Sequence, residues 1–238
     1  MAVSIGLFSD IHGNAVAFDA LLADLERRPV DRLVCLGDVI QGGPQPAECL
    51  ERLRSLGCPV VMGNADWFVL TGEPGAEPVT EAQRQTREWT LAELSEADCD
   101  YVRSFTPTVD APPVLAFHGS PGSWDDVILP ETDEGEFRRM LGEAGAAVLA
   151  GGHTHRQFLR RRGDSLFVNP GSVGLSYDPE LIKTAVRFDP WAAWAVIDTE
   201  GGPSIEFRRA AFDPGAVAAA IESSGLPNKD RAAGWLRP

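Results

Sequence analysis

Five times along this chain a short apolar run leads into a turn that sets a glycine beside aspartate, asparagine or histidine. Residues 2–8 (AVSIGLF) end in Ser9-Asp10, with Ile11-His12-Gly13-Asn14 behind them. Residues 31–36 lead into Gly37-Asp38, 59–62 into Gly63-Asn64, 114–117 into His118-Gly119, and 146–150 into Gly152-His153-Thr154-His155. Runs this short and apolar read as buried strands. Ala15, Phe18, Leu21, Leu22 and Leu25 recur at helical spacing and Pro29 follows Arg27-Arg28; residues 46–56 repeat the pattern. Strand, helix, strand with short connections dictates parallel pairing and right-handed crossovers. The expectation is one α/β domain.

The rest of the chain fits that frame. Residues 73–79 read as a Pro/Gly-rich loop, 80–105 as a helical insertion of one or two helices, and Pro-rich 107–113 as the return to the strand at 114–117. A helix is expected around 133–143. Beyond 157 the texture turns to strands, at 157–162, 165–168, 192–198 and 204–210, with a helix at 214–223. The tail 225–238 lacks periodicity, with Trp235 as its one candidate anchor. No repeat or linker divides the chain, so a single domain is expected over 1–238.

Composition narrows the function classes. With 238 residues, about 72% of the unfolded surface is buried on folding, enough for a core without disulfides. Hydrophobic residues at 44% and charged residues at 24% exclude a disordered, collagen-like or coiled-coil chain. Asp and Glu number 35 against 21 Lys and Arg, a formal charge of −14, which disfavours nucleic acid and anionic membranes as partners. Cys35, Cys49, Cys58 and Cys99 form no CxxC pair and read as reduced and structural. The apolar runs fall short of a membrane span, and the N-terminus carries no basic region of a signal peptide. The expected location is the cytoplasm.

Ligands of open α/β sheets bind at the carboxyl ends of the strands, so the five loops should converge. The chain has only four histidines, and all four stand in those loops, with Asp10, Asp38 and Asn64 and no thiolate. Imidazole with carboxylate suits Mn, Fe, Zn, Ni or Co and fits Mg or Ca poorly. Asp10, His12, Asp38, Asn64, His118, His153 and His155 supply enough ligands for two ions of four protein ligations each, if one aspartate bridges. Two divalent cations against two carboxylates would make one pocket attractive to phosphate inside an acidic protein.

Together, Asp10-x-His12, Gly37-Asp38, Gly63-Asn64, His118 and Gly152-His153-Thr154-His155 resemble the calcineurin-like metallophosphoesterase superfamily. Asn169-Pro170-Gly171-Ser172 resembles the segment that follows in its small bacterial and archaeal phosphodiesterase members. The likeness covers about residues 3–210, in order. It implies a four-layer αββα sandwich of two mixed β-sheets flanked by helices. It also implies one ion on Asp10, His12, Asp38 and His155 and another on Asp38, Asn64, His118 and His153, a partition that spacing alone does not make. The implied cofactors are two divalent transition-metal ions, manganese first. The implied activity is hydrolysis of phosphodiesters, or of activated phosphomonoesters, by a hydroxide bridging the metals.

One position departs from the family pattern. Many relatives carry Gly-Asn-His-Asp or Gly-Asn-His-Glu at the third motif, where the histidine assists the leaving oxygen; here it is Gly63-Asn64-Ala65-Asp66. General acid catalysis is worth about 10²–10⁴-fold, so poor leaving groups should suffer most and diphosphates least. That keeps a nucleotide or dinucleoside polyphosphate hydrolase as the alternative, and a non-catalytic metal-binding scaffold as the alternative of another class. Asp66 either acts through a water or makes a structural hydrogen bond. Asn14, Asn64 and Arg156 are candidate contacts for a small phosphorylated substrate, set against helix capping for Asn14 and a surface role for Arg156. Ser120 and Ser172 lack a nucleophile-elbow context. Trp191 and Trp194 read as packing residues or as part of a homo-oligomer contact rather than as base-stacking ones.

Overall fold

The computed structural model describes residues 3–75, 78–176 and 189–229. Two sheets face each other. The first has the order β2 (Arg32–Cys35), β1 (Ser4–Phe8), β8 (Trp191–Asp198), β9 (Ser204–Ala211). The second has the order β3 (Thr108–Ala111), β4 (Val114–Phe117), β5 (Val148–Ala150), β7 (Ser165–Pro170), β6 (Gln157–Arg162). β1 runs parallel to β2, with Leu7 opposite Val34, and antiparallel to β8, with Leu7 opposite Ala195. β4, β5 and β7 are mutually parallel, while β3 and β6 form antiparallel edges. Both sheets are therefore mixed, as the resemblance implied.

Period-two alternation builds the layers. Ile5, Leu7, Val34, Leu36, Ala195 and Ile197 meet Val114, Ala116, Val148, Ala150 and Val168 between the sheets. The opposite side chains face outward: Phe8, Cys35, Trp194 and Val196 pack against Phe18 and Leu21 of α1 (Ala15–Arg27) and Leu50 and Leu53 of α2 (Pro46–Leu56). On the other flank Phe117, Leu149 and Phe167 pack on Phe137 and Leu141 of α6 (Glu134–Leu141). Strands covered on both faces explain why the runs read as continuous apolar stretches rather than alternating ones.

Several expectations need correction. The run 59–62 is not a full strand: Val60 bridges Cys35 and Val61 bridges Thr106, and nothing more forms. Pro59 brings no N–H, and helix α3 (Asn64–Thr71) begins directly behind Gly63, so too few residues remain for a ladder. α3 itself is not visible as a periodic segment, being only eight residues long with Trp67, Phe68, Val69 and Leu70 consecutive in it. The Pro-rich return contains β3, an edge strand, the place where flanking prolines remove no ladder bond. The insertion resolves into α4 (Glu81–Ala92) and α5 (Glu96–Arg103), each opened by a capping box, at Thr80 with Gln83 and at Ser95 with Asp98. α7 (Pro214–Ser224) packs Val217 and Ile221 against Val16 and Trp89. Trp235 lies outside the described residues. Trp194 is a fully buried core residue.

Candidate metal centre

The five predicted loops meet on one edge of the sandwich, four leaving the carboxyl ends of strands and the third following the bridging segment 59–62. Sharp turns are needed there. Asp10, His12, Asp38, His153 and His155 all have positive φ, between 50° and 65°, a conformation unusual for residues with a Cβ. Among the described non-glycine residues only Asn228 shares it. Strain gathered on this one set of side chains is the mark of a site held for function. Gly37 is also left-handed at +99°, and a Cβ there would stand 2.6 Å from the Gly63 nitrogen, so the second and third loops touch only because both residues are glycine.

The side chains form two groups, Asp10 with His12 and His155, and Asp38 with His118 and His153. In the first, Asp10 Oδ1 lies 3.1 Å from His155 Nε2 and 3.7 Å from His12 Nε2. In the second, Asp38 Oδ2 lies 3.4 Å from His118 Nε2, and Asn64 Oδ1 lies 3.0 Å from the same nitrogen. The same Asp38 oxygen is 3.7 Å from His12 Nε2, so one atom faces both groups. The ring pairs His12–His155 and His118–His153 have centroids 4.9 and 5.1 Å apart. The arrangement brings together all seven residues that the sequence singled out as ligands.

Three of the four imidazoles are oriented by main-chain carbonyls. His12 Nδ1 donates to Gln41 O, His118 Nδ1 to Leu36 O and His155 Nδ1 to Leu175 O, each at 2.7 Å. A carbonyl only accepts, so a hydrogen sits on each Nδ1, and Nε2 is the nitrogen left facing the site, free to act as a ligand once it has lost its proton. No motif could show these partners, because any residue supplies a carbonyl. The Nε2 atoms and carboxylate oxygens crowd together: His12 and His155 bring their Nε2 atoms to 3.1 Å, and the buried Asp10 Oδ1 lies 3.1 Å from His155 Nε2. A cluster of imidazoles and carboxylates this close fits divalent cations, which displace the Nε2 protons and take imidazole nitrogen and carboxylate oxygen at about 2 Å.

The electrostatics follow from the same packing. Burial pushes the Asp10 carboxyl up, but the His155 charge and contacts from His12 and His155 overcome it and hold Asp10 well below the carboxylate range. Asp38 is likewise buried, and His118 brings it down to about 2. Burial alone would depress His118; Asp38 reverses that and raises it to about 10. His153 is lowered to about 4 by burial and by the neighbouring His118 charge, so it stays neutral at ordinary pH. Asp66 is pushed up to about 7 by burial and by Asp38.

The remaining candidates serve the frame. Asp66 Oδ1 accepts from the amides of Val39 and Ile40 at 2.8 and 3.2 Å, pinning the loop just behind Asp38: this is a structural hydrogen bond, and the residue is fully buried. Ala65 N donates to Asp38 Oδ1 at 2.9 Å. Asn14 caps α1 through Oδ1 on Ala17 N, and its Nδ2 donates to Gly174 O, so both ends of its amide have partners within the protein. Arg156 forms a two-oxygen pair with Glu131 at 3.0 Å. Ser172 Oγ donates to Asp10 O, and Asn169 Nδ2 donates to Gly152 O and Thr154 Oγ1, so the Asn169–Ser172 segment braces the first and fifth loops.

Comparison with known proteins agrees with this geometry. The family model described as calcineurin-like phosphoesterase superfamily domain matches residues 3–190. An uncharacterized protein of Methanocaldococcus jannaschii is 26% identical over 185 residues, covering 75% of this chain and 73% of its own length. A symmetrical bis(5'-nucleosyl)-tetraphosphatase of Chromohalobacter salexigens is 30% identical over 152 residues, 59% of this chain and 54% of that protein, so the match spans about half of it. The crystal structure of a metallophosphoesterase from Sphaerobacter thermophilus superposes with a TM-score of 0.78 at 25% identity, covering 98% of this chain and 99% of the other.

Proposed function

The chain belongs to the calcineurin-like phosphoesterase superfamily, and from that premise we propose that it is a dinuclear metal-dependent phosphoesterase acting on phosphodiesters or activated phosphomonoesters. Asp10, His12, Asp38 and His155 would hold one ion, and Asp38, Asn64, His118 and His153 the other. The observation that carries this reading is the position of Asp38 Oδ2, 3.7 Å from His12 Nε2 in one group and 3.4 Å from His118 Nε2 in the other. Two divalent ions, when bound, acidify a water molecule and offset charge on the phosphoryl oxygens.

The protein's own part is positioning. Carbonyls of Gln41, Leu36 and Leu175 hold three imidazoles in the ligand tautomer, and Asp66 fixes the loop that carries Asp38. Manganese is the first choice of metal, since imidazole, carboxylate and carboxamide without thiolate suit it, with Fe, Zn, Ni or Co as alternatives. Neither serine near the site is poised as a nucleophile, so water attacks phosphorus and no covalent intermediate with the chain forms. A scaffold without catalysis would have no need of the complete ligand set. Hydrolysis of nucleoside polyphosphates is the second reading, favoured by the absence of a fifth histidine. No described helix is long and apolar enough to cross a membrane; Cys35, Cys49, Cys58 and Cys99 are free thiols, in keeping with a reducing cytoplasm.

Asp38→Ala and His153→Ala should abolish hydrolysis of a nitrophenyl phosphodiester by the manganese-loaded protein, with circular dichroism unchanged. Undiminished turnover in both variants would sink the proposal.

A further inference from the structure

Two tryptophans on the Asn64 side of the centre have no role in the chemistry above. Trp67 follows Asn64 by three residues on α3, and residues three apart share a helix face. The buried face of α3 is Ala65, Asp66, Phe68 and Val69, which leaves Asn64 and Trp67 together on the accessible one. Since Asn64 Oδ1 touches His118 Nε2, Trp67 stands one turn of helix away from the second ligand group. Trp124 lies in the loop that leaves His118. That loop turns back through Ser120 and Ser123, whose main chains bond at 2.7 Å, and it ends where Thr154 Oγ1 donates to Ile128 O at 3.4 Å. Its path is tight: a Cβ on Gly119 would stand 2.8 Å from Trp124 O.

The two indoles meet with ring centroids 5.2 Å apart and planes inclined by 49°. Both are half-buried, packed against the core beneath α3. Trp67 Nε1 donates to Glu73 Oε2 at 3.3 Å, which fixes the ring rather than leaving it to swing. The pair makes a rigid apolar wall between the third and fourth loops. The four histidines of the chain all belong to the two ligand groups, so none is left over to protonate a departing oxygen. The chemistry therefore favours a leaving group that departs unprotonated, and the wall favours one that carries a planar ring.

We propose that Trp67 and Trp124 stack the nucleobase of a nucleoside phosphate leaving group, which would favour nucleotide phosphoanhydrides, the second reading above, over simple diesters; this rests on the phosphoesterase reading. In that hydrolysis the oxygen of water bonds to phosphorus and the anhydride P–O bond breaks with its electron pair on the nucleoside phosphate. The protons of the water go to the released phosphate and to solvent. Stacking of a base on an aromatic side chain is strong enough for a difference of about tenfold in affinity.

Titration calorimetry with AMP and with ribose 5-phosphate tests the wall directly, because the two probes differ only in the base. AMP should bind at least about tenfold more tightly to the manganese-loaded protein, and Trp67→Leu and Trp124→Leu should each bring that ratio down severalfold. Equal affinities in the wild type overturn the proposal even if neither variant folds. So does a ratio that both folded variants preserve. The nitrophenyl phosphodiester assay separates the two claims: turnover without a base preference removes the wall alone, whereas no turnover of any ester removes the phosphoesterase reading beneath it.

Discussion

His12 and His155 point their Nε2 atoms at each other across 3.1 Å while the Nδ1 of each donates to a main-chain carbonyl. Two nitrogens held so close need a proton or a metal cation between them, and a bound metal replaces the proton. Chelation should therefore lower the melting temperature, and added manganese should restore it. At a hundred times the dissociation constant the gain is about 2.7 kcal/mol, or roughly 5–10 °C for a chain of this size. A melting temperature indifferent to both chelator and metal would contradict the ligand assignment.

Asp66 supports the centre from behind. Replacing it with alanine leaves two buried amides, Val39 N and Ile40 N, without an acceptor. The expected cost is about 2–4 kcal/mol in chemical denaturation, together with metal binding weakened by about 10–100-fold through the displaced Asp38 loop. Asp66→Asn keeps an acceptor and should recover much of the stability. Alanine and asparagine variants that bind metal equally well would show that Asp66 does not position Asp38.

Gly37 and Gly163 both have positive φ, at 99° and 56°, but only Gly37 is crowded, since a Cβ on Gly163 meets nothing within 4 Å. Gly163→Ala should cost about 1 kcal/mol, the conformational penalty alone. Gly37→Ala should cost at least about twice that, because the third loop must also retreat. Paired denaturation curves check this, and similar midpoints for the two variants would refute it.

Asp24 of α1 accepts from Arg208 Nε and Nη2 and from Trp194 Nε1, tying the helix to β8 and β9. The Arg208 hydrogen bonds outweigh burial and hold its carboxyl below the ordinary value. A depressed carboxylate stabilises the fold above its unfolded value near pH 4, and that stability is lost as pH falls through the lower folded value. Asp24→Asn should cost about 2 kcal/mol at pH 7 and flatten the pH dependence of stability below pH 4. An unchanged acid profile in the variant would remove Asp24 from the account.

The sequence by itself determined the strand-end chemistry: which seven side chains stand behind which apolar runs, and that four of the five runs are buried strands. That information is local, because an apolar run and the glycine turn after it are consecutive in the chain. The fold class was legible for the same reason. What the tertiary structure alone decided depends on residues far apart. The segment 59–62 shrinks to single bridges because its partners are Cys35 and Thr106. The edge strand β3 exists because β4 offers it a ladder. The tautomers of His12, His118 and His155 come from carbonyls whose positions follow from sheet packing and loop paths, not from residue identity. The place of Asp38 Oδ2 between the two groups, and the meeting of Trp67 with Trp124, are set where loops from different strands converge. Side-chain type is written along the chain, but the distance between two side chains is fixed only when the sheets that carry them pack.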